Sequence, residues 1–230
     1  MYNNEKIVAI IPARKGSKRI KEKNGVFLGN KKLYEYSIEI AKNSKYIDEI
    51  LFSTDSEEWL KSAIQSGCMP IALRDANLAQ DTTKTIDVLM YEIKRNNLCE
   101  KFTTLILLQP TSPYRTVKLV DDAIEEYFRT NESLISVVEC KENPIFMRTI
   151  HNGKLEKIIN KRSDVRSQEM DKIYRIIGNI YINNIEELTL DTILNENIKP
   201  YIIEGKYAID IDTPEDLIYA ESILKENKII

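Results

Sequence analysis

Two short runs, Ile7 to Ile11 (IVAII) and Thr104 to Leu108 (TLILL), are apolar at nearly every successive position and rich in branched side chains. A strand with one wet face alternates apolar and polar residues, so an unbroken apolar run fits a strand covered on both faces, the central position of a parallel sheet. Leu33 to Ser44 places Leu33, Tyr36 and Ile40 at helical spacing, and Glu49 to Ser53 is a further strand, which implies a βαβ unit. Ser56 to Gln65, Thr83 to Asn96 and Val117 to Arg129 read as helices. Pro70 to Leu73, Leu134 to Val138, Asn179 to Ile182, Tyr201 to Ile203 and Ala208 to Ile211 read as strands, and Thr213 caps a closing helix that has Pro214 at its first position. The pattern is α/β in a single domain spanning 1–230. From Cys140 to Lys172 it breaks into charged, turn-rich sequence, which reads as an inserted arm.

The loop after the first apolar run, Pro12 to Asn24 (PARKGSKRIKEKN), holds six basic side chains against one acid, in a chain of formal net charge -3. Open α/β sheets bind ligands at the carboxyl ends of their strands, so the loop suits an anion, and a polyphosphate best. Gly16 lets the backbone approach a phosphate, Ser17 adds a hydroxyl, and Arg14, Lys15, Lys18, Arg19, Lys21 and Lys23 supply charge. A solvated surface loop would account for the charge alone. The loop lacks the Gly-Lys-Ser/Thr ending of a P-loop and the three glycines of a dinucleotide fingerprint, which argues against those two classes. With the positive charge confined to this loop in an acidic chain, a nucleic-acid duplex is not an expected partner.

No apolar stretch approaches the roughly 18 residues of a membrane span, and the amino-terminal sequence does not read as a secretory signal. A cytoplasmic enzyme is expected. Cys68, Cys99 and Cys140 are far apart and read as reduced bystanders, while the single histidine, His151, leaves no basis for a His-rich zinc site. A metal here would be a hard cation on carboxylates and phosphates, magnesium foremost. In Ile209 to Pro214 (IDIDTP), Asp210 and Asp212 stand two apart, on one face of an extended backbone, and could clamp it. The other reading makes Asp212 a turn residue and Asp210 a solvated one. Leu78 to Thr85 (LAQDTTKT) offers hydroxyls before a helix, and Arg74 has the planar donors to read a base carbonyl.

The phrases IIPARKGSKRIKEKN, FSTDSEE, LLQPTSPYR and IDIDTPEDL occur in an order and spacing that resembles the CMP-sialic acid synthetases, the acylneuraminate cytidylyltransferases, over nearly the whole chain. The resemblance implies a doubly wound, mostly parallel nucleotidyltransferase fold, a homodimer built with an arm, and transfer of CMP from CTP to the anomeric hydroxyl of a nine-carbon keto-acid sugar. By position it assigns Arg14, Ser17, Lys18, Lys23 and Asn24 to the triphosphate and ribose, with Arg14, Lys23 and Asp212 catalytic. Arg74, Thr83 and Thr85 fall to cytidine, and Asp210 and Asp212 to magnesium. Gln109, Thr111 and Ser112 resemble the sugar loop, with Arg175, Gly178 and Tyr181 in the sugar-side segment.

Two departures lie on the sugar side. Ile177 and Asn179 flank Gly178 where the family usually has asparagine and alanine, and Arg166, Ser167 and Gln168 interrupt its usual Arg-Gln pair. If Ile177 lines the acceptor pocket it favours a deoxygenated sugar, because it cannot pair a hydroxyl. If it faces the core it says nothing about the acceptor. The alternatives are a cytidylyltransferase for the eight-carbon acid KDO and a non-catalytic nucleotide-binding regulator on the same fold. No histidine lies near these motifs, so a general base is not evident.

Overall fold

The computed structural model describes residues 2, 4–160, 170–191 and 198–227. The chain begins β1 (Ile7–Pro12), β2 (Phe27–Leu28), β3 (Lys31–Lys32), α1 (Leu33–Asn43), β4 (Glu49–Ser53), α2 (Glu57–Gln65) and α3 (Thr85–Arg95). It continues β5 (Thr104–Leu107), α4 (Val117–Thr130), β6 (Leu134–Glu139), β7 (Arg148–His151), β8 (Lys154–Lys157), β9 (Tyr174–Asn184), β10 (Lys199–Ile202) and α5 (Pro214–Asn227).

The side chains of β1 feed two different cores. Ile7, Ala9 and Ile11 pack with Tyr34 and Ile38 of α1, Trp59 of α2 and Val120 and Ile124 of α4. Val8 and Ile10 pack on the other face with Ile86, Leu89 and Ile93 of α3. Successive strand residues point to opposite faces, so the unbroken apolar run is what a sheet sandwiched between helices requires. The six-stranded sheet runs β10-β6-β9-β5-β1-β4. β1 is parallel to β4 and β5, and β10 to β6, while β9 is antiparallel to both β5 and β6, so β9 alone runs against the others. The fold is therefore the expected α/β arrangement around a mostly parallel sheet. The loops that leave β1, β4 and β5 emerge at one edge.

Two expected strands are absent. Residues 70–73 run beside the end of β4 but touch it only through Met69 N–H to Ile50 O and Arg74 N–H to Thr54 O, both 2.8 Å. Pro70 has no N–H to give, and the carbonyls of Ala72 and Leu73 accept from the Arg95 guanidinium, each at 2.8 Å. Residues 208–211 likewise make a single backbone bond to the facing loop, Ile211 N–H to Thr111 O at 2.8 Å. That loop contains Pro110 and Pro113, which cannot extend a ladder. The helix expected from Thr83 starts at Thr85, with the Asp87 carboxylate accepting from the Lys84 N–H at 3.1 Å.

Thr213 and α5 behave as the sequence indicates. The Thr213 hydroxyl accepts from Asp216 N–H at 3.3 Å, and the Asp216 carboxylate accepts from Asp212 and Thr213 N–H at 3.0 and 2.8 Å. Ile209 and Ile211 are buried in a smaller cluster with Leu28, Leu33, Tyr114 and Ala220. Between β6 and β9, where an arm is expected, the chain makes a short turn at Pro144–Phe146 and the β7–β8 hairpin, which pairs Ile150 with Leu155 and leaves both more than two-thirds exposed. The base of this excursion is tied by Cys140 N–H to Ile173 O at 2.9 Å. Arg166, Ser167 and Gln168 lie outside the described residues.

Candidate active site

Two adjoining cavities, of about 300 and 280 Å³, open at the carboxyl edge of the sheet and share Arg14, Ser17, Lys23 and Asp212. Their outer part is the basic loop. Arg14 Nη1 and Lys18 Nζ both reach the carboxylate of Asp81, at 2.5 and 2.7 Å, and these two donors, Lys18 first, hold the Asp81 carboxyl below its usual range. Lys23 Nζ lies 2.5 Å from Asp212 Oδ1. Asn24 is buried and lines the inner cavity, where its amide donates to Arg14 O at 3.0 Å and so fixes the backbone beside the arginine. Gly25 ends the loop, and a Cβ there would meet Trp59 Cζ2 at 2.3 Å, so the loop can lie down only on glycine.

At the other end, Arg74 lines the inner cavity together with Leu78, Gln80, Thr83 and Thr85. Its side chain is 3% exposed, and its Nε and Nη2 make no hydrogen bond. Burial lowers its pKa, opposed by the charges of Asp55 and Glu92. A buried guanidinium with unpaired donors is costly unless a charge offsets it, and Asp55 Oδ1 lies 4.0 Å from Nη2. The segment that carries it is braced from behind: Glu92 is fully buried and accepts from Ser53 Oγ at 2.6 Å and Arg95 Nε at 2.6 Å.

The third wall holds Gln109, Thr111, Asp210 and Asp212. With Ile209 and Ile211 buried beneath α5, the alternating IDID sequence turns both carboxylates to the cleft. Burial holds the Asp210 carboxyl above its ordinary range, the hydroxyl of Thr111 pulls it down, and the charge of Asp212 pushes it up again. Among the described residues no cluster of three or more His, Cys, Asp or Glu side chains could hold a metal by itself. Two carboxylates are the protein's whole contribution on this wall.

Several candidates sit behind the wall. Ser112 is fully buried and its hydroxyl lies 3.4 Å from Asp210 Oδ1. Tyr181 is half-buried in β9; its phenol is pushed up by burial and then by the charge of Asp210. Arg175 is exposed, its Nη2 3.5 Å from Ala208 O. Ser112, Arg175 and Tyr181 line neither cavity. Ile177 is 2% exposed and also lines neither, so it faces the interior, and the selectivity argument built on it loses its footing. Two residues matter more here than sequence reasoning gave them credit for. Arg115 is completely buried, donating to Ser37 Oγ at 3.0 Å and Gln109 O at 2.7 Å; burial pushes its pKa down to about 9, with Asp210 opposing. Asn179, also fully buried, donates to Tyr114 O and Tyr207 O, both at 2.9 Å.

A sheet of this order with a cationic cleft at its carboxyl edge defines an α/β protein of nucleotidyltransferase architecture. It shares that fold with a solved CMP:2-keto-3-deoxy-manno-octonic acid synthetase complexed with CTP, at TM-score 0.71 and 16% identity over 96% of this chain and 99% of the other. The family described as Cytidylyltransferase matches residues 8–229, and the chain belongs to it. It is 33% identical to the CMP-N,N'-diacetyllegionaminic acid synthase of Legionella pneumophila, across 97% of this chain and 98% of the relative. It is 30% identical to a pseudaminic acid cytidylyltransferase of Campylobacter jejuni, across 96% and 97%.

Gly178 is the point at which this wall is most sensitive. A Cβ there would fall 1.9 Å from Gln109 Oε1, the movable end of a flexible side chain. Gly178→Ala is therefore expected to leave the fold intact, with a melting temperature close to that of the wild type, while displacing the Gln109 amide. Side-chain amide resonances of Gln109 check this, and unchanged shifts would contradict it.

Proposed function

We propose that this chain transfers CMP from CTP to the anomeric hydroxyl of a nonulosonate, a nine-carbon 2-keto acid sugar, and releases pyrophosphate. The observation that carries the reading is the division of one cleft, lined by Arg74 at one end and by Arg14, Lys18 and Lys23 at the other. That spacing of planar donors and point charges suits a pyrimidine base joined to a triphosphate. Arg74 with the Thr83 to Thr85 segment would take the base, and Ser17 and Asn24 the ribose and phosphates.

In the reaction the acceptor oxygen bonds to the α-phosphorus as the bond to pyrophosphate breaks. Lys23 and Arg14 stabilise the charge that grows on the phosphoryl oxygens, and Gln109 and Thr111 orient the sugar. Asp210 and Asp212 would hold magnesium, which would supply positive charge against the charge that grows on the phosphoryl group. The donor set fits, since two carboxylates share one wall without a histidine or thiol. Pairing of Lys23 with Asp212 and of Arg14 with Asp81 would be exchanged for phosphate contacts on binding. We further read the protein as a soluble cytoplasmic homodimer that uses the exposed apolar hairpin β7–β8. No helix among the described residues is long and apolar enough to cross a membrane.

For the acceptor, the names of the 33% and 30% identical relatives favour a legionaminic- or pseudaminic-type sugar over N-acetylneuraminate and KDO. Pyrophosphate release measured over a panel of keto-acid sugars tests this. Turnover is expected with CTP and not UTP, because a site built to pair the 4-amino group is left unpaired by a carbonyl. The kcat/KM for the deoxygenated nonulosonate should exceed that for N-acetylneuraminate by roughly tenfold or more. No release with any nonulosonate, or a preference for KDO, would overturn the reading.

Lys23→Ala is expected to raise the barrier by about 2.7 to 4 kcal/mol, seen as a fall in kcat of roughly a hundredfold or more in a protein that still melts normally. Asp212→Asn is expected to abolish magnesium-dependent turnover and Asp210→Asn to weaken or abolish it, since the amide keeps the shape and loses the charge. Magnesium titration of both variants gives the measurement; an unchanged requirement in both places the cation elsewhere.

A further inference from the structure

The FSTDSEE phrase contributes no side chain to the linings of these two cavities, yet its aspartate lies between the basic loop and Arg74. Asp55 sits in the turn from β4 to α2. One of its oxygens, Oδ1, accepts the Lys15 N–H at 2.7 Å and so pins the start of the basic loop. The same oxygen is 4.0 Å from Arg74 Nη2, one of the two guanidinium nitrogens that have no hydrogen bond. The turn itself is held firmly: Arg74 N–H reaches Thr54 O at 2.8 Å, and Ser56 N–H reaches Thr54 Oγ1 at 3.2 Å in a buried setting. The Asp55 side chain is 24% exposed, so its charge acts on Arg74 with less screening than an open surface pair would have.

We infer that Asp55 is a positioning residue that couples the two halves of the nucleotide site, setting the phosphate loop through Lys15 N–H and the orientation of the Arg74 guanidinium through its charge. The inference rests on the proposed use of CTP. It separates the two duties of one carboxylate by chemistry. In Asp55→Asn the amide oxygen can still accept the Lys15 N–H, but the charge beside Arg74 is gone. In Asp55→Ala both are lost.

The test uses calorimetry with two probes, CTP and inorganic tripolyphosphate, which lacks the base. In Asp55→Ala both affinities are expected to fall, tripolyphosphate by about tenfold, the loss of one charge-assisted bond. In Asp55→Asn tripolyphosphate binding stays within about threefold of wild type while the preference for CTP over tripolyphosphate shrinks about tenfold. In an Arg74→Ala background Asp55→Asn should change that preference no further, because the group it acts through is absent. An Asn variant with an unchanged preference, or an Ala variant with unchanged tripolyphosphate binding, overturns the inference. Equal weakening of both probes in the Asn variant means a merely structural acid and overturns it too. If wild-type protein takes up tripolyphosphate but no CTP, it is the proposed activity that fails, and Lys15 and its loop are then judged on the tripolyphosphate arm alone. Thermal melts of both variants accompany the titrations, and the near-isosteric Asn variant keeps the test decisive if the Ala variant does not fold.

Discussion

A guanidinium with no exposed surface lies beneath the floor of the cleft. Arg115 reaches from the loop after β5 to Ser37 in α1 and back to the carbonyl of Gln109, with the charge of Asp210 nearby. Desolvating a charge of this kind costs several kcal/mol, and the bonds it makes determine whether the surrounding loop holds one shape. Here that loop presents Gln109 and Thr111 to the cleft and, through Thr111 O, accepts the N–H of Ile211 between the two aspartates. The Asn179 amide anchors the same region from β9 by holding Tyr114 O. This wall is thus assembled from irregular backbone whose polar groups are satisfied by buried side chains and not by a ladder.

The charges on the cleft surface are arranged differently. Arg14 and Lys18 share Asp81, and Lys23 and Arg19 both lie near Asp212, in pairs that are partly open to solvent. Such pairs contribute little to stability, so parting them disturbs the fold little. Arg115 and Glu92 are built in, whereas the ion pairs of the basic loop stand at the surface of the cleft.

What could be read from the sequence follows from the range of each interaction. The unbroken runs at 7–11 and 104–108 state burial on both faces by themselves, and the IDID alternation already separates buried isoleucines from carboxylates. The cap at Thr213 is a contact three residues long. Where sequence reading failed, the deciding contacts were distant in the chain. Residues 70–73 look like a strand until Arg95, more than twenty positions on, takes their carbonyls. Whether Ile177 lines the pocket or faces the core stays open in the sequence, and β6 decides for the core by closing over it, with Ser136 Oγ donating to its carbonyl at 2.9 Å. Nothing in the sequence around Arg115 marks it as a brace; only the packing of α1 against that loop shows it, with the guanidinium on Ser37 Oγ and Gln109 O. Asn179 carries a local signal that was available: an asparagine in an otherwise apolar strand has to find partners when buried.

The antiparallel course of β9 has a mechanical consequence. That strand leaves the excursion that carries the β7–β8 hairpin and, four positions after Tyr174, reaches Gly178, against which Gln109 rests. Four strand residues span only about 13 Å, but over Tyr174 to Ile176 β9 is bonded to β6 alone, β5 joins it only from Tyr181, and the register against β6 shifts between Ile176 and Tyr181, with Gly178 inside the shift. Across that shift the Ser136 hydroxyl donates to Ile177 O and accepts from Ile180 N–H, each at 2.9 Å, so one buried serine of β6 sets how closely glycine and Gln109 meet.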